Sequence, residues 1–199
     1  MHNQTATRNG DTWLKVLLGG AIAAGIAGLG TLLQQKKQNM FEKSEDQAFD
    51  RLERLLKKGG ACAEFLGANG LDALKAMRNA PRTTPVSGSG NNPTGISMQV
   101  QAFNGNFRAP SFVTFFTNGP FFIGINKPPL GTFPAGSNGA QLVALMHELG
   151  HLVRNAAGTG PLLPNDGDNP SQSQTNTDTM LNYRGKNGKT CKEEIFDAK

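Results

Sequence analysis

Apolar residues recur at helical spacing between positions 44 and 79. Ser44-Glu45-Asp46-Gln47 matches a capping box and predicts a helix that begins there, while Gly59-Gly60 predicts where this helix ends. Two further helices are expected at about 61–66 and 70–79, where apolar side chains fall on one face. We expect these helices to serve as packing scaffold.

The pattern changes after a Pro-, Gly- and Ser-rich stretch at 80–95, which predicts a linker or long loop. Three runs that follow are rich in Phe, Val and Ile and predict β-strands at 97–103, 111–117 and 120–126. Asn-Gly pairs at 104–105 and 118–119 separate the runs, as is typical of antiparallel hairpins.

One isolated helix follows the strand-like region. Ser137 or Asn138 predicts its start and Gly158 its end, with "QLVALMHELGHLVRNAAG" between them. The order of helices, small sheet and single helix predicts an α+β domain. In this domain the N-terminal helices and a small, mainly antiparallel sheet pack on the helix that contains "HELGH".

The N-terminal region contains an uncharged run, "VLLGGAIAAGIAGLGTLL", at residues 16–33. Its length is at the lower limit for spanning a bilayer, and Gly20, Ala24 and Gly28 give the small-xxx-small spacing of packed membrane helices. We therefore expect a tail, 1–39, with a membrane-inserting or export segment at about 14–33, followed by a domain at 40–199. A glycine-rich buried helix is the alternative. The expected location is the cell envelope or the exterior of the cell.

The charge distribution argues against a nucleic-acid partner. The formal net charge is +5, but the basic residues are scattered and are not interleaved with aromatic residues. Two cysteines, Cys62 and Cys191, are far apart in sequence. In an oxidising compartment they can pair and connect the N-terminal helices to the C-terminal tail. They can equally be two unrelated thiols.

The candidate chemistry is concentrated in "HELGH". His147 and His151 are four residues apart, so on a helix both rings project from one face and can bind the same ion. Glu148 projects beside this pair and can reach a water molecule at the ion without being a ligand. This is the H-E-x-x-H arrangement, in which the glutamate is the general base.

"HELGH", with "LVALM" before it, resembles the active-site helix of zincin metallopeptidases. Residues 162–182 are similar to uncharacterised bacterial zincin-like domains, some at the C-terminal ends of RHS-repeat proteins. The resemblance covers roughly 60–199, and the five-residue motif is its specific part. It implies a zincin-like fold, a Zn²⁺ cofactor and hydrolysis of a peptide or protein substrate. His147 and His151 would bind zinc, and Glu148 would be the general base.

The third ligand has to come from elsewhere in the chain. The metzincin pattern fails, because Arg154 and Ala157 stand where that subclass has Gly and His or Asp. Asp166 is our first choice, since it follows a stiff Pro-Asn turn that can bring the chain back beneath the histidines. Asp168 is the second choice. Glu194, in a tail expected to be solvated, and Cys191 are weaker alternatives.

Two other functions stay open at this level. One is a non-catalytic, zinc-stabilised binding or toxin-associated module, and the other is a membrane-inserted interaction protein. A peptidase also needs a group that stabilises the oxyanion. Tyr183, Asn176 and Arg184 are the candidates for that role.

Overall fold

The computed structural model describes residues 11–82, 93–123, 129–167 and 169–198, with side chains from residue 31 onward. The chain divides into two compact units, Met1–Met40 and Phe41–Lys199. Most of the expected membrane-inserting segment, residues 14–30, lies outside the residues whose side chains are described. Among the described residues, no helix combines the length and the apolar character needed to cross a bilayer. The membrane segment therefore stays a prediction.

The first helix, α1 (Asp11–Lys58), is longer than expected. The prediction that a helix begins at Ser44 was wrong, because no helix breaker lies between residues 31 and 43 and the helix runs through Ser44. The Ser44 hydroxyl accepts a hydrogen bond from Gln141 Nε2 at 2.9 Å instead of capping a helix. The predicted end at Gly59-Gly60 is confirmed, since both glycines have positive φ angles.

Helices α2 (Ala61–Leu66) and α3 (Gly70–Asn79) confirm the next two predictions. A short 3-10 turn, Gly67–Asn69, joins them. Alanine, leucine and methionine side chains from these helices are buried in the same core as the last turns of α1. Helices α2 and α3 therefore contribute to the hydrophobic core, as their apolar periodicity predicted.

The sheet in the described part of the chain has two antiparallel strands, β1 (Ile96–Val100) and β2 (Pro110–Phe115). Ile96 pairs with Phe115, and the register shifts between Gln99 and Val100. Both strands were predicted, although each is shorter than its apolar run. The Asn104-Gly105 turn lies in the connection between them.

The predicted third strand at 120–126 was wrong over residues 120–123, and 124–126 lie outside the described residues. The chain turns at 117–122, where Phe122 N–H donates to the Gly119 carbonyl. Phe121 is fully buried, with its ring centroid 5.1 Å from that of Phe115. The aromatic residues of this run therefore pack into the core from a turn and not from a strand.

Helix α4 (Asn138–Leu152) carries the H-E-x-x-H motif and lies at the centre of the second unit. Ser137 caps it through a hydrogen bond from Ala140 N–H, which confirms the predicted start. The predicted end at Gly158 was wrong by six residues. Val153 is extended, and its carbonyl accepts from Leu162 N–H, so β-type pairing with neighbouring segments replaces further helix.

The C-terminal part contains two helices that were not predicted, α5 (Pro170–Leu181) and α6 (Cys191–Asp197). Both have recognisable starts: Asn169 caps α5 ahead of a proline, and Thr190 with Glu193 forms a capping box for α6. Helix α4 contacts β1, α3, α5 and α6. The described part is an α+β fold built around α4.

Candidate metal centre

Helix α4 is buried on all sides, from Ala140 to Leu152. Its histidines therefore sit in the interior: His147 is 0% exposed and His151 is 6% exposed. A helix buried in this way holds its side chains in fixed positions because neighbouring elements pack on every face. The i, i+4 spacing then brings the two Nε2 atoms to 3.1 Å from each other.

Asp166 completes a three-residue cluster. Its carboxylate lies 2.8 Å from His147 Nε2 through Oδ2 and 3.2 Å from His151 Nε2 through Oδ1. One potential ligand atom from each of these three residues lies within 4.8 Å of the others, so the group can hold a metal ion. Of the acids considered as third ligand, Asp166 is the one that the described residues bring to the histidines.

The other candidates for third ligand lie elsewhere. Asp168 is outside the described residues. Glu194 accepts hydrogen bonds from the backbone N–H groups of Ala61 and Cys62, at 2.8 and 2.9 Å, so it caps the N-terminus of α2. It is buried, and the expectation of a solvated tail at this position was wrong. Cys191 is joined to Cys62 in a disulfide and has no thiolate to offer.

The segment that carries Asp166 is held against α4 by close packing. Leu163 is 1% exposed, and its N–H donates to the carbonyl of Gly150, the glycine within "HELGH". A Cβ atom at Gly150 would lie 2.4 Å from Leu163 Cδ1. The missing side chain at Gly150 therefore makes room for Leu163 and for the chain segment that leads to Asp166.

Polar groups behind the cluster orient each imidazole. His151 Nδ1 lies 3.1 Å from the Leu163 carbonyl oxygen, and His147 Nδ1 lies 3.0 Å from the hydroxyl of Thr177 on α5. Hydrogen bonds to the outer nitrogen fix the ring orientation of metal-binding histidines. Helix α5 also braces the Asp166 segment, because Asn176 Nδ2 donates to the Pro164 carbonyl at 2.8 Å.

The donor set fits a cation. A carbonyl can only accept, so His151 Nδ1 carries the hydrogen and a neutral His151 directs the lone pair of Nε2 toward the Asp166 carboxylate. The Nε2 lone pair and the carboxylate are both hydrogen-bond acceptors, so a proton or a metal ion is needed between them. Nitrogen ligands of a tetrahedral zinc ion, each at about 2.0–2.1 Å, lie about 3.3 Å apart. The 3.1 Å between the two Nε2 atoms is close to that spacing.

The pKa shifts in the metal-free cluster agree with a site that binds a cation. Burial raises the pKa of Asp166, but hydrogen bonds from His147 and His151 outweigh burial and hold the pKa well below its ordinary value. Burial lowers the pKa of His151, but the hydrogen bond to Asp166 outweighs it and raises the pKa. The carboxylate stays ionised and favours a positive charge on His151.

Glu148 lies beside the cluster and outside it. Its side chain is buried, and burial raises the pKa of its carboxyl group against the opposing effect of the two histidines. Thr94 donates a hydrogen bond to Glu148 Oε1 at 2.7 Å and accepts one from Ile96 N–H at 3.2 Å. Thr94, two residues before β1, thus orients the Glu148 carboxyl group.

A cleft of about 250 Å³ opens onto these groups. Glu148, His151 and Asp166 line it on one side, and β1 borders it from Ile96 to Val100. Arg108 lines it as well, anchored by a 2.8 Å hydrogen bond from Nε to the His151 carbonyl. Burial lowers the pKa of this guanidinium, but it keeps a positive charge at the mouth of the site.

The three candidates for an oxyanion-stabilising group are absent from this lining. Tyr183 is 37% exposed and packs on Phe65, with ring centroids 5.6 Å apart. Arg184 donates to the Gly188 carbonyl, and Asn176 supports Pro164 from behind. Arg108 is the cationic group that the described residues place in the cleft.

Sequence reasoning missed Thr94, Arg108 and Thr177. The helix around Thr177 could have been found, because Asn169-Pro170 is a start signal and Ser173, Asn176, Thr177 and Met180 follow at helical spacing. Thr94 and Arg108 reach the site through tertiary packing and left no local signal. No protein-family model, curated protein or solved structure matches the chain.

Proposed function

We propose that this chain is a zinc-dependent metallopeptidase with a zincin-like active site. The observation that carries the proposal is the cluster of His147, His151 and Asp166. Two of these residues, His151 and Asp166, line a cleft together with Glu148. Three protein ligands and one adjacent carboxylate correspond to catalytic zinc sites, which keep a fourth position open. Structural zinc sites are instead closed by four protein ligands.

The residues have distinct roles in this proposal. His147, His151 and Asp166 hold the ion, and zinc supplies a Lewis acid that polarises a carbonyl and makes water more acidic. Glu148 accepts a proton from the attacking water and later delivers it to the leaving amine. Thr94 holds the Glu148 carboxyl group toward the cleft through its 2.7 Å hydrogen bond.

Two features of the cleft support a peptide substrate. Strand β1 borders the cleft, and an extended peptide can add to a strand through main-chain hydrogen bonds. Arg108 provides a fixed positive charge in the same cleft, suited to an oxyanion or to a substrate carboxylate. Both features line the same cleft as the proposed general base.

The disulfide supports an extracytoplasmic location. Disulfides persist in oxidising compartments, and Cys62–Cys191 joins residues 129 positions apart. We therefore keep the cell envelope or the exterior of a bacterial cell as the proposed location. The N-terminal segment at about 14–33 would be the means of export or membrane attachment.

The proposal is tested by measuring metal content and proteolysis on the same preparations. Wild-type protein should contain one zinc per chain and cleave an unfolded protein such as casein. Glu148→Gln should keep the zinc and lose about 10²-fold or more in rate, because it removes the proton acceptor and no ligand. Glu53→Gln, a carboxylate-to-amide change on the partly exposed face of α1, should leave both unchanged.

The role of Asp166 as a metal ligand is tested by Asp166→Asn, which removes the charge and retains the size of the side chain. It should reduce zinc content and activity together while the circular dichroism spectrum stays that of the wild type. The proposal fails if folded wild-type protein carries no stoichiometric metal, or if Glu148→Gln remains fully active. If Glu148→Gln changes neither zinc content nor proteolysis, and removal of zinc unfolds the chain, the metal is structural.

A further inference from the structure

A second cavity, of about 720 Å³, lies away from the metal centre and includes none of its residues. It opens between the end of α1, the start of α2 and the segment around α6. Its volume is in the range of small-molecule sites. Five basic residues line it: Arg51, Arg54, Lys58, Lys186 and Lys189. Leu55 and Ala198 add an apolar part.

Three carboxylates also line this cavity, and each is already engaged. Glu194 accepts from the backbone N–H groups at the start of α2 and from Asn187 Nδ2. Asp197 forms an ion pair with Lys189 at 2.7 Å, and Glu64 accepts from the Lys186 backbone N–H. Within the described residues, no carboxylate pairs with the side chains of Arg54, Lys58 or Lys186. The lining carries a net formal charge of +2.

Arg51 lies in the cavity lining with one of its hydrogen-bond donors unpaired. Its Nη2 donates to Gln141 Oε1 at 2.6 Å, but its buried Nε has no hydrogen-bond partner among the described residues. Burial lowers the pKa of Arg51, and the neighbouring guanidinium of Arg54 lowers it further. Two like charges close to each other and a buried, unpaired donor are both costly arrangements.

We propose that this cavity binds a small organic phosphate with two negative charges. A dianion matches the net charge of the lining and relieves the repulsion between Arg51 and Arg54. Guanidinium groups bind phosphate oxygens in pairs of hydrogen bonds, and lysines add point charges. The apolar wall at Leu55 and Ala198 accommodates the organic part. This site is independent of the zinc proposal, because no residue is shared.

Isothermal titration calorimetry with phenyl phosphate at about pH 8 tests the proposal, because the phosphate is then a dianion. Saturable binding with a Kd below about 1 mM is expected. Benzoate, a monoanion with the same ring, should bind at least tenfold more weakly. The double variant Arg54→Gln/Lys186→Gln should weaken phenyl phosphate binding at least tenfold.

Lys43→Gln/Lys75→Gln is the matched control, because both lysines are exposed outside the cavity and the change in net charge is identical. It should bind phenyl phosphate like the wild type. Asp166→Asn should also bind normally, which separates this site from phosphate coordination at the metal centre. Absence of saturable binding overturns the proposal. Equal affinity for benzoate, equal weakening by the control, or loss of binding in Asp166→Asn also overturns it.

Discussion

The hydroxyl of Thr177 lies 3.0 Å from Nδ1 of His147, so helix α5 supports a ring that α4 carries. His147 has no exposed surface, and its orientation is set by this contact and by the packing around α4. A residue outside the H-E-x-x-H motif thus controls the direction in which one proposed ligand points. The effect of this supporting contact on metal binding can be measured.

Thr177→Val keeps the shape of the side chain and removes the hydrogen bond to His147. We expect zinc affinity to fall about 10–100-fold, which is typical for loss of such a supporting contact. Competition with a chromogenic chelator measures this affinity. Thr175→Val, at an exposed position of the same helix, is the control and should bind zinc like the wild type. Equal affinity of both variants would show that Thr177 does not support the ligand.

Gly150→Ala should destabilise the fold and weaken metal binding together. Alanine has the higher helix propensity by about 1 kcal/mol, so a helix effect alone would stabilise. The new methyl group would meet Leu163 Cδ1 at 2.4 Å, which forces the Asp166 segment away from α4. We expect a net loss of about 1–3 kcal/mol in urea unfolding.

The double variant Gly150→Ala/Leu163→Ala separates the steric effect from other causes, because it restores room for the methyl group. Its metal affinity should recover relative to Gly150→Ala, even though the smaller side chain leaves a less stable core. If Gly150→Ala is as stable as wild type and binds zinc equally well, the close packing of Leu163 does not position Asp166.

The Cys62–Cys191 disulfide should contribute strongly to stability. It closes a loop of 129 residues, and removing such a constraint from the unfolded chain costs about 3–5 kcal/mol. Cys62→Ala/Cys191→Ala should therefore lower the unfolding free energy by that amount. Reduced wild-type protein should behave like the double variant, and a reducing agent should not change the variant further. An unchanged melting temperature on reduction would contradict this prediction.

Glu45 should make the fold more stable at pH 5 than at pH 8. Burial raises the pKa of Glu45 to about 7, and the opposing effect of Arg82, at 3.1 Å, does not cancel it. The ordinary pKa is 4.5. Between these two values the folded chain keeps the proton and the unfolded chain has released it, so stability falls as pH rises.

Glu45→Gln cannot ionise and should lack this contribution. Its unfolding free energy relative to wild type should rise between pH 5 and pH 8, by on the order of 2–3 kcal/mol. Urea unfolding at the two pH values measures the difference, with Asp72→Asn on the exposed face of α3 as the control. A difference that is the same at both pH values would show that Glu45 titrates normally.

Local sequence patterns predicted the parts of the fold that local interactions determine. Ser137 starts α4, and paired glycines end α1, because capping and positive φ angles depend on a few adjacent residues. Once that helix is predicted, the spacing of His147 and His151 puts both rings on one face. Asp166 was also within reach of sequence reasoning, since it follows a short turn beyond the helix.

The errors arose where tertiary contacts override local pattern. The run at 120–123 has the composition of a strand, yet Phe121 enters the core from a turn. Helix α4 stops at Leu152 because the next residues pair with neighbouring chain segments. Glu194 was expected in a solvated tail. It is buried instead, because two backbone N–H groups at the N-terminus of α2 donate hydrogen bonds to its carboxylate. Thr94 likewise reaches Glu148 across 54 positions of sequence.

The identity and position of the metal are the centre of the proposed function. Crystals of wild-type protein grown with zinc, measured on both sides of the zinc absorption edge, locate the ion directly. We predict one anomalous peak within bonding distance of Nε2 of His147, Nε2 of His151 and a carboxylate oxygen of Asp166. A map with no peak among these three side chains, or with its zinc peak elsewhere, would contradict the assignment.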